Sequence, residues 1–323
     1  MSKTIRSVLV CGVAVLLAVP SCSKRAPADT SASRPSPGES RPAAARPTAP
    51  RPGTQPTKPA KFPSDELVAE CRKASDALRA RLDRTFALTV SPPFVVAGNM
   101  TAEKLDRFTR YTVLEGAKAM WASYFEKKPD KVITVLLFAD EKSYRAWAEK
   151  LYGDRDVSYY GYYKPDERAL VMNIGTGGGT LVHELTHALI VYDFPDVPRW
   201  FNEGLGSLHE QCNFQEGKVI GLVNWRLKGL QDAIGAGKLR PLRELVTADD
   251  FYGAQRGLNY AQARYFCQYM QEKRLLEKFY VYLRANHKEK DSGAAAIEHI
   301  FGRKVEEVEK DFLTWVKPLK FPP

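Results

Sequence analysis

Cysteine is scarce in this chain of 323 residues, and no C-x-x-C spacing occurs among the five it has. That spacing is the usual way to hold a metal on thiolates, so a cysteine-ligated centre is not expected. Cys11 and Cys22 fall in the first 22 residues; Cys71, Cys212 and Cys267 then allow at most one disulfide and read as small buried apolar residues. Net charge is also missing where it would matter. The formal charge is +10, but residues 1–22 carry +2 and residues 23–62 carry +6, leaving +2 for residues 63–323. A nearly neutral globular part gives no footprint for a phosphate backbone, so no nucleic-acid partner is expected. "GTGGG" at 175–179 lacks the Lys-Ser/Thr of a phosphate loop and reads as a connector. No internal repeat is present.

The N-terminus supplies the first positive signal. Lys3 and Arg6 precede "SVLVCGVAVLLAV", an apolar run of thirteen residues, within signal-peptide range and too short to span a bilayer comfortably. The run ends at "VPSC", which resembles a bacterial lipoprotein signal with Cys22 as the lipidated residue, although Pro20 departs from the small residue of that pattern. An ordinary cleaved secretory signal is the alternative. Under either reading the protein is exported, and under the first it is a membrane-anchored lipoprotein of the cell envelope. Residues 23–62, rich in Pro, Ala, Arg, Ser and Thr, contain almost no large apolar residue. They cannot repay ordering entropy and read as a disordered tether.

From residue 63 to the C-terminus the pattern is that of one folded domain. Ser64 is placed to cap a helix carrying Leu67, Cys71, Leu78 and Leu82 at helical spacing. "PFVVAG" and "KVITVLLF" read as strands, separated by a helix that Thr101 caps and that runs to about Phe125; a further helix follows from Glu141. "SYYGYY" and "RALVMN" read as a hairpin turning at "KPDE", with "RALVMN" the edge strand on which an extended peptide could lie. Beyond Glu203 the pattern is helical, near 224–235, 260–273, 275–287, 293–301 and 304–317, apart from a small hairpin turning at Glu216-Gly217. The fold class expected is α+β: a small mixed sheet with helices, packed on a helical C-terminal half.

Chemistry concentrates in "HELTHALIVYDFPDVPRWFNEG", His183 to Gly204. Residues i and i+4 share a helix face, so His183 and His187 can present two imidazoles to one metal ion. Glu184 is rotated about 100° from His183, too far for a third ligand but within reach of a water at that metal. A catalytic zinc site needs three protein ligands and an open position. Glu203 is the third: the two prolines of "DFPDVP" end the first helix, and "RWFNEGLGSLHE" starts a second with Glu203 in its first turn. Trp200 and Phe201 are expected to bury against the first helix, and Gly204 and Gly206 to allow close backbone approach. His209 and Glu210, further along, read as solvated; His287 and His299 have no partner at ligand spacing.

"HELTHAL" followed by "PRWFNEGLGSLHE" resembles the gluzincin metallopeptidases, and among them the small peptidase MA-like bacterial proteins. The likeness spans about residues 130–317 and takes in "YAQARYFCQYMQEKRLLEKFYVYL" downstream; only the segments around 183–204 and 260 are specific. It implies a zincin-like fold and Zn²⁺ held by His183, His187 and Glu203. It implies Glu184 as general base, Tyr260 as the tyrosine that stabilises the transition state, and a peptide or protein substrate. A non-catalytic envelope lipoprotein that keeps the fold for binding is the alternative. No acidic motif of the aminopeptidase type precedes the zinc helix, which counts against that branch.

Overall fold

The computed structural model of the chain describes residues 61–321; the expected signal, Cys22 and all but the last two residues of the 23–62 segment lie outside that range. The Ser64 hydroxyl accepts from the Leu67 N–H at 3.1 Å and so caps α1 (Asp65–Arg81), which buries Leu67, Cys71 and Leu78 on one face. Five strands form one mixed sheet in the order β1 (Ala87–Ser91), β2 (Phe94–Gly98), β3 (Ile133–Phe138), β5 (Ala169–Asn173), β4 (Gly161–Lys164). The β2–β3 and β3–β5 pairs are parallel, and both outer pairs are antiparallel.

β2, β3 and β5 are almost wholly apolar because both faces of the sheet are covered. Val95, Ala97, Leu136, Phe138 and Val171 pack under α1 and α4 (Glu141–Tyr152). Their neighbours in sequence, Val96, Val135, Leu137, Leu170 and Met172, join a second and larger core. Each such side chain contributes roughly 1.5–3 kcal/mol relative to exposure. Helices α2 (Ala102–Phe108) and α3 (Glu115–Ser123) cover that second face, joined without a break by a π-helical segment, Thr109–Leu114. Thr101 caps α2 through its hydroxyl, as its position suggested.

The second half is helical. α5 (Gly179–Asp193) and α6 (Arg199–His209) lead to a hairpin, β6 (Cys212–Gln215) and β7 (Lys218–Gly221), whose turn residues Glu216 and Gly217 both have positive φ, 50° and 77°. Then come α7 (Leu227–Gly235), α8 (Leu242–Thr247), α9 (Arg256–Glu272), α10 (Leu276–Asn286), α11 (Ser292–Phe301) and α12 (Val305–Val316). The chain is therefore α+β, with α5 at the junction: it packs on β4 and β5 on one side and on α6 on the other.

One expectation is corrected. "RALVMN" is not an edge: β5 lies between β3 and β4 with all five residues buried, and the edges of the sheet are β1 and β4. Trp200 and Phe201 are buried as expected, in the core they share with Leu185 and Leu189 of α5, and their rings also meet Phe266 of α9 and Phe279 and Tyr280 of α10. β1 and α8, five and six residues long, are additional elements too short for a clear periodic signal. Cys71, Cys212 and Cys267 are unpaired thiols.

Candidate metal centre

α5 ends at Asp193, and its end is fixed by a buried network. The Asp193 carboxylate accepts from the N–H groups of Glu126 and Lys127 at 3.1 and 2.8 Å, from the Tyr280 hydroxyl at 2.6 Å and from Arg284. The chain then turns through Phe194-Pro195 and restarts as α6 immediately after Pro198. This turn brings the first coil of α6 back over the middle of α5.

The result is convergence of three ligand atoms. Oε2 of Glu203 stands 3.3 Å from Nε2 of His183 and 3.4 Å from Nε2 of His187, and the three groups offer atoms all within 4.8 Å of one another. Bonds of about 2.0–2.1 Å to a tetrahedral ion separate neighbouring ligands by ~3.4 Å. The imidazole rings are 4.7 Å apart at 82° to each other. Oε2 of Glu203 is buried without a hydrogen bond, an arrangement that costs free energy unless a cation occupies the gap. Gly206 gives room for it: a Cβ there would stand 3.1 Å from both His183 Nε2 and His187 Cε1. Gly204, two residues earlier and on the opposite face of α6, would place a Cβ 3.0 Å from the Ala263 carbonyl oxygen and Cys267 Sγ, so α6 and α9 are in backbone contact. The close approach expected of both glycines is present. These residues fit a divalent metal ion.

Each ligand is oriented from behind. Nδ1 of His187 donates to Oδ1 of Asn202 at 2.9 Å, leaving Nε2 to present its lone pair. Nδ1 of His183 lies 3.2 Å from Oε1 of Glu210, which Arg226 grips with two nitrogens at 2.9 and 3.1 Å. Oε1 of Glu203 accepts from the Tyr252 hydroxyl at 2.6 Å. Glu210 and His209, expected to be solvated, are therefore not. Glu210 is held by Arg226 from the segment before α7, and His209 is fully buried with Nδ1 2.8 Å from the Thr186 hydroxyl. Neither belongs to the converging group. His287 and His299 lie elsewhere, one against the Arg284 carbonyl and the other stacked on Tyr282.

Glu184 lines the same cleft beside the two histidines, and its Oε2 accepts from the Tyr163 N–H of β4 at 2.9 Å. Burial raises its carboxyl pKa, with the two histidines opposing, so it is a stronger base than an exposed glutamate. Burial alone would depress His183; Glu203 and Glu210 outweigh it and lift the pKa to about 10. Burial alone would likewise raise Glu203, but the two imidazoles hold it well below the usual carboxylate range. Glu210 is held at about 2: Arg226 and His183 overcome its burial. The cleft encloses about 350 Å³, between Tyr162, Tyr163 and Pro165 of the β4 side and Tyr252 and Tyr260 opposite.

Tyr260 is thus in the cleft wall, its ring 5.3 Å from that of Phe251 and 6.4 Å from that of Tyr252. Tyr252, which the sequence reading passed over, is the tyrosine that touches the ligand set. It sits in the irregular segment before α9, where no periodicity singles out a residue. Asn202 carried a signal, since it immediately precedes Glu203 near the start of the returning helix. Compared with known proteins, the chain matches no family model and no curated protein.

Proposed function

We propose that this chain is a zinc metallopeptidase of the gluzincin kind, exported to the cell envelope and anchored there by lipid on Cys22. The observation that carries the reading is the convergence of His183, His187 and Glu203, with Glu184 beside them outside the ligand set and held by the Tyr163 N–H. Two imidazoles and one carboxylate suit zinc, and three protein ligands leave the fourth position open. Bound there, Zn²⁺ supplies Lewis acidity to the scissile carbonyl and acidifies an attacking water.

The remaining steps belong to side chains. Glu184 takes the proton of the attacking water and passes it to the leaving amine, the work of a general base that turns general acid. Its raised pKa brings it nearer to neutral operation. Tyr260, in the cleft wall, donates to the oxyanion that forms at the carbonyl, and Tyr252 holds Glu203 in its ligating rotamer; the shared lining and the Tyr252–Glu203 hydrogen bond support these roles. β4 is the edge strand along the cleft, where an extended peptide can add as a further strand.

The test is metal analysis together with cleavage of a diverse peptide mixture read by mass spectrometry. Glu184→Gln should retain one zinc per chain and lose turnover. His187→Ala and Glu203→Ala should lose the zinc itself. A Glu184→Gln protein that cleaves as well as the parent would refute the base assignment. Stoichiometric zinc with no cleavage of any peptide, and no effect of a chelator, would favour a binding module on a peptidase-like scaffold.

A further inference from the structure

α6 and α9 each begin with an arginine, Arg199 and Arg256, and neither helix has an acidic residue in its first turn. A cation at a helix N-terminus opposes the helix dipole, so both residues sit where local electrostatics disfavours them. Departures of this kind concentrate at functional sites. Both side chains are exposed. Arg199 donates to the Asp249 carbonyl at 2.9 Å, a contact that leaves its charge uncompensated. Arg256 lies 5.9 Å from the Tyr252 ring centroid and 5.6 Å from that of Tyr260, which stands four residues on along the same helix face. Arg199 stands four residues before Glu203, on the same face of α6.

Other cations near this side of the cleft are already paired. Arg226 is taken by Glu210 at 2.9 Å and Arg240 by Asp250 at 2.7 Å. Among the described residues, Arg199 and Arg256 have no carboxylate at ion-pair distance. Arg256 stands beside Tyr252, whose hydroxyl touches Glu203, and Arg199 stands one helical turn before Glu203, so both charges lie just beyond the ligand set. That separation is within reach of about three extended residues at ~3.4 Å each.

We propose that Arg199 and Arg256 bind a carboxylate of the substrate, so that the preferred peptides carry a negative charge within about three residues of the scissile bond. This rests on the peptidase reading above and adds the substrate class to it. Guanidinium groups suit a carboxylate through paired, charge-assisted hydrogen bonds. The charge can come from a free C-terminus or from an acidic side chain, and the two sources are separable.

The full chain carrying Glu184→Gln and loaded with zinc is titrated with fluorescent peptides of one sequence in three forms. The first ends in a free carboxylate with neutral side chains. The second is its C-terminal amide. The third is a series of amides with a single glutamate moved along the chain. At least one carboxylate form should bind about tenfold or more tightly than the neutral amide, and Arg199→Gln and Arg256→Gln should each remove about tenfold of that preference while leaving the neutral amide unchanged. The first form binding best identifies the terminal carboxylate; the third identifies a side chain. Equal affinity for all three forms, no binding of any, or arginine variants that weaken all forms alike would overturn the proposal. Absence of cleavage by the unmutated protein, with the carboxylate preference intact, would instead remove the peptidase reading alone.

Discussion

The Tyr252 hydroxyl donates a 2.6 Å hydrogen bond to Oε1 of Glu203, the carboxylate whose other oxygen faces both imidazoles. Two tyrosines thus share the cleft wall with different contacts: Tyr252 touches a ligand, and Tyr260 packs against the rings of Phe251 and Tyr252. Their substitutions separate accordingly. Tyr252→Phe should weaken zinc binding by ~10-fold, the scale on which orienting partners of metal ligands act. Tyr260→Phe should leave zinc affinity unchanged and lower kcat. Competition with a chromophoric chelator reads the first effect and steady-state kinetics the second. Unchanged zinc affinity in Tyr252→Phe would remove its orienting role.

Zinc uptake should release protons. With its pKa lifted to about 10, the His183 imidazole of the metal-free protein is protonated at neutral pH. A metal needs it neutral, so binding expels that proton and affinity rises as pH rises. Between pH 6 and 8 the apparent association constant should climb about tenfold per pH unit for the one proton released. The same shift has the opposite sign for the metal-free fold. A pKa raised above the ordinary 6.5 contributes stability fully present below pH 6.5 and lost as pH climbs toward about 10. Calorimetry in buffers of different ionisation enthalpy counts the protons, and a pH-independent affinity would contradict the arrangement around His183.

Asp193 anchors the end of the histidine helix rather than its chemistry. It is a buried carboxylate taking hydrogen bonds from two backbone amides, Tyr280 and Arg284. Asp193→Ala leaves Arg284 and Tyr280 without their shared partner and should cost about 3 kcal/mol, read as a lower urea midpoint. The folded fraction should still take up one zinc. Loss of zinc at full folded stability would show that the network acts on the site instead.

How far the centre was legible in the sequence follows from which contacts are local. His183 and His187 share a face by helical period, and the prolines after Asp193 force a return, so their meeting with Glu203 could be anticipated from spacing alone. The fold class was legible for a similar reason, because apolar runs such as "KVITVLLF" already carry the double burial of an interior strand. What failed depended on the third dimension. Glu210 looks like a helix-surface carboxylate until Arg226, sixteen residues later, is folded against it. "RALVMN" looks like an edge until strand order is known. Tyr252 is one of fifteen tyrosines, in a stretch whose conformation no simple period describes.

Gly206 gives the sharpest separation between stability and chemistry. It lies inside α6, where replacing glycine by alanine ordinarily favours the helix by roughly 0.5–1 kcal/mol. Here the added methyl would stand 3.1 Å from His183 Nε2 and from His187 Cε1, the edge of each ring that faces Glu203. The rings must move by a few tenths of an ångström, and they are held by Asn202 and Glu210 from behind. Relief therefore comes from spreading the ligand triangle, whose sides of 3.3 and 3.4 Å already match a tetrahedral ion. Gly206→Ala should fold with near-parental helix content and thermal midpoint while binding zinc at least tenfold more weakly. Circular dichroism and metal competition on one preparation decide it: parental zinc affinity in this variant would mean that the two imidazoles do not converge beneath Gly206.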